Sequence, residues 1–314
     1  MDAARSAQVS GIEPGREATD PARGPVSLGS AKGSWWSQVG WRYLVGLLAL
    51  AFAVLPILFI VSAAFNPAGT LQSTSLIPSG ASLDNFSSLF NTPGRSFGTW
   101  YRNSLIISGA TALATVLLGA AAAYAFSRYR FSGRRTFMLS LLLLQMFPSL
   151  LALVALYLIF IQIGDVFSLL GLNTTIGLIL AYLGGVLGSN VWLLKGYFDT
   201  VPKDLDESAR VDGASHAQIY FGIVLPLVTP ILATVALLSF VGTYSEFLLA
   251  SIFLSDGSKQ TLAVGLYGLI SGQRNANFGE FCAGALLAAL PVLVLYLGLQ
   301  RFLVGGLTSG SVKG

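Results

Sequence analysis

The sequence predicts an all-α integral membrane protein with six transmembrane helices, and three observations carry that expectation. Of the 314 residues, 54% are hydrophobic and 10% charged, where an ordinary soluble domain carries about 25% charged residues. The charges leave six apolar intervals, each close to the roughly 20 residues that cross about 30 Å of hydrocarbon. Lys and Arg collect in short clusters between these intervals, the pattern by which a multi-span chain fixes its orientation.

The intervals run approximately over 43–64, 103–127, 137–160, 174–194, 227–254 and 281–300. The first follows a basic segment and ends in Ser62, Ala63 and Ala64, as a secretory signal can. Its apolar run exceeds the roughly 7–15 residues of a signal core, so an uncleaved helix is expected. Pro56, Pro148, Pro230 and Pro291 fall inside spans; each removes a backbone donor and is expected to bend its helix, which a membrane bundle tolerates. The small-residue runs GAAAA (Gly119 to Ala123) and GGVLG (Gly184 to Gly188) are expected where helices approach closely.

Residues 1–40, rich in Ala, Gly, Ser, Pro and charge, carry too little apolar surface to offset ordering entropy and are expected to form a disordered cytoplasmic tail before a membrane domain over 41–314. In the external segment 65–101, SLDNFSSLF reads as a short surface helix begun by Ser82 or Asp84. In the external segment 255–280, TLAVGLYGLISG is apolar but too short to cross and is expected to be re-entrant or surface-lying.

With the N-terminus inside, Arg95, Arg102, Lys259 and Arg274 fall outside and every other one of the 18 Lys and Arg residues falls inside. An even number of spans returns the C-terminus to the cytoplasm. The net charge of +4 is thus a matter of membrane topology rather than of nucleic acid binding. One His and one Cys leave little material for a metal site, a disulfide framework or a thiol redox pair. His216 reads as a helix-surface residue of a cytoplasmic loop and Cys282 as a small buried hydrophobe. No catalytic or metal-ligating set is expected.

The loop at about 199–226 is polar and Gly-punctuated, and its chemistry predicts two short helices meeting at a corner. Thr200 is the expected N-cap, with Pro202 in the first turn and Asp204, Asp206 and Glu207 near the positive end of the dipole. Leu205, Ala209 and Asp212 share a spacing of three to four, so one face presents Leu and Ala. Gly213 supplies a helix stop, and Ser215 with Gln218 reads as a capping box opening the second helix. A structured connector and a helix that docks into a groove on a soluble partner both fit these residues.

The pattern Glu207-Ser208-Ala209, three residues, Gly213, nine residues, then Ile223-Val224-Leu225-Pro226 resembles the EAA signature of permease subunits in ABC importers, with Ser208 in place of the usual Ala. LLLLQMFPSLLALVALY, GLNTTIGLILAYLGG, WLLKGYF and QRFLVGGLTSGSVKG are similar to maltose/maltodextrin-type permeases, and the likeness covers about residues 41–314. The resemblance implies a type I importer permease fold with six spans. It also implies a second homologous permease, two ATPase subunits, and an extracellular sugar-binding protein as partners in a cytoplasmic membrane. In that picture Glu207, Ser208, Ala209, Asp212 and Gly213 couple to an ATPase cleft, Ile223, Leu225 and Pro226 support them, and the C-terminal TSGSVKG lies near the ATPases.

No G-x-x-x-x-G-K-[ST] phosphate loop occurs in the chain, so ATP and Mg are expected on partner subunits and no cofactor on this one. Polar groups inside spans are the candidates for a translocation pathway. Glu246 can bond sugar hydroxyls or cap a helix end; Tyr244 can stack on a sugar ring or anchor at the interface; Gln145 and Asn190 can line the path or bond a neighbouring helix. An ion-coupled secondary transporter is the main alternative, but Glu246 alone supplies the intramembrane carboxylate and no repeat is visible. An intramembrane enzyme and a scaffold without transport are the others.

Overall fold

The computed structural model describes residues 39–72, 80–271 and 276–308. Most of the expected N-terminal tail, Pro78, Arg274 and residues 309–314 lie outside the described residues. The chain divides into two units, 1–53 and 54–314. In the first, the described part is the start of α1 (Trp41–Phe65), an apolar stretch whose side chains from Trp41 to Ala53 are exposed.

The second unit holds the rest of α1 and all other described elements. In chain order these are α2 (Asp84–Asn91), α3 (Phe97–Arg128), α4 (Arg134–Gln145), α5 (Ser149–Val166), α6 (Thr175–Phe198), α7 (Asp204–Val211), α8 (His216–Ile219), α9 (Leu225–Leu227), α10 (Thr229–Ser245), α11 (Leu248–Phe253), α12 (Leu262–Ser271) and α13 (Phe278–Thr308). α3 is the axis of this unit, packing against α6, α10 and α12, while α13 packs on α10 and α12. At 32 residues it is roughly 48 Å long at about 1.5 Å per residue.

α1, α3, α6 and the Phe278–Phe302 part of α13 are each long and apolar enough to cross a membrane, and two bent helix pairs bring the number to six if each is one span. The first pair corrects the sequence expectation, and so does the far end of the second. The interval 137–160 is not one kinked helix, because α4 and α5 meet at 106° across Met146 to Pro148. Pro148 has no N–H to continue the ladder and biases Phe147 away from helical backbone. The interval 227–254 is likewise divided. α10 begins after a 76° bend from the 216–227 helix, with Pro230 in its first turn, and ends at Glu246, whose backbone is extended. α11 follows as a separate short helix. By contrast, Pro56 and Pro291 lie within continuous helices.

The small-residue runs differ from each other. Ala120 and Ala123 are buried in a cluster with Leu194 and Phe198, whereas Gly184 and Gly185 face open space. The tighter approach falls on the first run, where a Cβ at Gly119 would lie 3.0 Å from Leu194; in the second run Gly188 faces Gln145 of α4, at an ordinary contact distance of 3.5 Å. Of the two expected openers Asp84 is the first residue of α2, Leu83 holds the cap position without a side-chain bond, and Ser82 accepts the Asp84 N–H at 3.0 Å from one residue further out. Cys282 is buried as expected.

At the N-terminal end of α3 the connecting segments are bonded to the bundle. The Trp100 indole donates to the Gly257 carbonyl at 2.9 Å, the Asn103 amide donates to Ser258 and Gln260 carbonyls, and Ser104 Oγ accepts the Leu262 N–H at 2.8 Å. This pins the ten-residue α12 along α3 with Leu262, Leu266 and Leu269 in the core, so the apolar stretch too short to cross is a packed helix. Gly265 makes that contact possible: a Cβ there would lie 2.2 Å from the Trp100 ring, whereas one at Gly268 would meet nothing within 4 Å. Replacing Gly265 with Ala should lower the melting temperature of the purified protein, since overpacking costs about 1–3 kcal/mol. Gly268→Ala, which only improves helix propensity, should leave it unchanged or raise it; a scanning fluorescence melt in detergent reads both.

Candidate functional site

The polar loop after α6 is built onto the C-terminal end of α3. Just beyond α6, Asp199 accepts a bond from Ser127 Oγ at 2.7 Å and pairs with Lys195 at 2.5 Å. Burial pushes its carboxyl up, but the bonds from Lys195 and Ser127 outweigh this and hold it below the ordinary value. Thr200 is not the N-cap of α7. Its hydroxyl donates to the Tyr197 carbonyl at 2.7 Å and closes the end of α6, while Lys203 occupies the cap position without a side-chain bond. Asp204, Asp206 and Glu207 do fall in the first turn of α7.

One tie in this region is a buried ion pair that the sequence pattern did not single out. Arg128 Nε, on the last residue of α3, stands 2.7 Å from Asp206 Oδ2, and the two side chains are 2% and 4% exposed. Arg128 also donates to the Val201 carbonyl at 3.0 Å. Asp206 and Ala209 therefore form the inward face of α7, and the expected face through Leu205, Ala209 and Asp212 is not the one realised: Ala209 is buried while Leu205 and Asp212 are exposed. The missed signal was a carboxylate three residues before a buried Ala, facing an Arg at the end of a span. A buried pair stabilises little relative to an apolar one, but breaking it leaves a charge stranded.

Gly213 adopts φ +83°, and the N–H groups of Gly213 and Ala214 donate to the carbonyls of Arg210 and Ala209, so α7 ends in a left-handed cap. Ser215 and Gln218 form the expected reciprocal capping box. The chain then winds through a π-helical turn at Tyr220–Val224, where Ile219, Val224 and Val228 are buried against Leu194 and Phe198. Tyr124 of α3 packs on Tyr220 with ring centroids 4.9 Å apart and the rings tilted by 55°. Ile223 and Leu225 are half-buried in that cluster and Pro226 is exposed. The outward surface of the bracket presents Glu207, Ser208, Asp212 and Gly213, with the apolar side chains of Leu205 at 41% and Val211 at 88% exposure.

Within the membrane the polar candidates do not converge. The Glu246 carboxylate accepts the Tyr182 hydroxyl at 2.6 Å and the N–H groups of Leu249 and Ala250 at 2.8 and 3.1 Å, so it caps α11 and ties it to α6. Tyr182 was not anticipated. Asn190 donates to the Val186 carbonyl at 2.9 Å and toward Ser239 at 3.4 Å, bridging α6 and α10. Gln145 is exposed and donates to the Leu141 carbonyl. Tyr244 stacks on Phe240, its hydroxyl has no hydrogen-bond partner among the described residues, and it borders a cleft of about 300 Å³ with Ala285, Ala288 and Val292.

Long apolar helices combined with a capped helix–turn–helix loop held to one end of the bundle define an integral membrane protein with a structured polar connector. Residues 115–307 match the family described as binding-protein-dependent transport system inner membrane component, and the chain belongs to that family, the one its 207–226 signature resembles. It is 42% identical over 286 residues to the maltose/maltodextrin transport system permease protein MalG of Vibrio vulnificus, covering 87% of this chain and 96% of that one. It is also 42% identical over 278 residues to the galactooligosaccharides transport system permease protein GanQ of Bacillus subtilis, with the same coverage. MalG of Escherichia coli K12 is 40% identical over 283 residues. In fold, the chain matches a bacterial ABC transporter involved in import of the acidic polysaccharide alginate. The TM-score is 0.71 and the identity 23%, over 84% of this chain and 95% of that one.

Replacing either Arg128 with Gln or Asp206 with Asn should destabilise the bracket by about 3–5 kcal/mol, and replacing both with Met and Leu should recover much of the loss. Hydrogen exchange across residues 203–213 provides the readout, with faster exchange in each single variant and near-parental rates in the double.

Proposed function

We propose that this chain is a permease subunit of an ATP-driven importer for maltose, maltodextrin or a related oligosaccharide. Its relatives' names supply the solute class, and the bracket supplies the mechanism. In this reading the loops at 129–133 and 199–226 and both termini are cytoplasmic, as the distribution of Lys and Arg favours. ATP and Mg belong to two partner ATPase subunits, while a second permease completes the pathway and an external binding protein delivers the sugar.

The observation that carries the proposal is the division of labour on α7. Its inner face is held to α3 through Arg128 and Asp206, and its outer face offers Glu207, Asp212 and Val211 without cover. A helix so fixed cannot move without moving the end of α3, and an exposed acidic and apolar surface suits a cleft on an ATPase. Closure of the ATPase pair then displaces the bracket as a rigid body, and the long axis of α3 carries that displacement into the bundle, changing which side the cavity opens to. Glu207, Ser208, Asp212 and Gly213 make the contact; Ala209, Ile223 and Leu225 hold it from behind, with Pro226 at the bend. Of the intramembrane candidates, Tyr244 lines a cleft and its hydroxyl, though buried, has no partner among the described residues, so it is assigned to the pathway; Glu246, Asn190 and Gln145 position helices around it.

Single cysteines at Glu207 and Asp212 should crosslink to an ATPase subunit in membranes, and labelling of these positions from the external side would overturn the assignment. Gly213→Val, which forces a β-branched residue into left-handed backbone at a cost of about 1–3 kcal/mol, should leave nucleotide hydrolysis in the assembled complex while sugar uptake into vesicles falls at least tenfold.

A further inference from the structure

Beside the bracket, and not part of it, lies a cleft of about 860 Å³ between the start of α4 and the end of α6. Arg130, Arg134, Arg135 and Lys195 line it, and no carboxylate does. Lys195 is held by Asp199, whose charge also reaches Arg134, but the side chains of the three arginines have no hydrogen bond or ion pair among the described residues. The floor is preformed: Met138 is buried with Phe126 and Val191, the Phe137 ring stacks on Phe126 at 5.5 Å, and the Trp192 indole donates to the Met138 carbonyl at 3.0 Å.

The polar and apolar parts of this site are ordered along one helix face. Arg135, Leu139 and Leu143 follow at intervals of four, so they stack on one side of α4, and Leu139, Leu142 and Leu143 are 45%, 44% and 65% exposed. A cationic mouth thus leads directly onto an uncovered hydrocarbon track. A free phosphate or an acidic peptide would use the first part and leave the second bare. A molecule with an anionic head and an acyl tail matches both, in the same order.

We propose that this cleft binds an anionic glycerophospholipid of the cytoplasmic leaflet, with the phosphate among Arg130, Arg134 and Arg135 and an acyl chain along Leu139 and Leu143. The assignment rests on the membrane-spanning, cytoplasmic-loop reading above but not on the solute transported. Trp192 lines the cleft and serves as the reporter. The full chain in lipid discs should show quenching of Trp192, defined by difference from Trp192→Phe, by acyl-brominated phosphatidylglycerol at a lower mole fraction than by acyl-brominated phosphatidylcholine.

The preference should fall about five-fold for each arginine neutralised, and Arg130→Gln with Arg135→Gln should erase most of it. Arg130→Lys with Arg135→Lys, which keeps the charge, should retain it and so exclude a folding defect. An unchanged preference in the neutralised variant would overturn the proposal. So would displacement by inorganic phosphate as effective as by the lipid, which would mark a free-anion site, or loss of the quenching on assembly with the partner subunits, which would mark a protein interface. Reaction of Ser132→Cys with an impermeant maleimide from outside intact cells would overturn the topology itself. Absence of any lipid preference in the parental chain, with Ser132 shielded from that reagent, would overturn this inference alone.

Discussion

The structure at the end of α3 depends on one buried ion pair. Arg128 closes a long apolar helix and Asp206 lies in the first turn of the short helix α7, and with both side chains nearly sealed from solvent neither can be left alone at low cost. That constraint makes the bracket an extension of the bundle rather than a tethered loop. The Gly213 cap, the Ser215 box and the aromatic contact between Tyr124 and Tyr220 then fix how the chain returns to the membrane. The outward surface of α7 takes its orientation from this inner attachment.

Local rules made much of the fold legible. Apolar length located the spans because hydrocarbon thickness sets it, and Gly213, Ser215 and Gln218 announced the corner because a left-handed cap and a capping box are chemistry of neighbours in sequence. Hydropathy is blind to breaks within an apolar run: Pro148 announced a bend but not the 106° break beside it, and a helix end at Glu246 was only one of the readings that residue allowed. Contacts between distant residues were equally hidden: Arg128 and Asp206, or Tyr182 and Glu246, are separated by whole helices. Thr200 was misread for a related reason, since a hydroxyl between two helices can serve either, and here it bonds backward to Tyr197.

The intramembrane polar residues show the same limit from another side. Glu246 carries the charge that sequence reasoning prizes, yet its oxygens are taken by Tyr182 and two backbone N–H groups, so its evident work is to let a span break without leaving open bonds in a dry setting. Tyr244 is less conspicuous in sequence and has the freer polar atom. Charge marks where a membrane helix must be repaired as readily as where a solute passes.

The two faces of α7 also differ in their exposure to dissolved ions. Arg128 and Asp206 attract each other where a Debye atmosphere cannot enter, whereas Glu207 and Asp212 act through water and are damped over about 10 Å at 0.1 M ionic strength. Concentrated electrolyte should therefore mute the outer face of α7 well before it loosens the pair beneath, so the two faces of one short helix answer to salt separately.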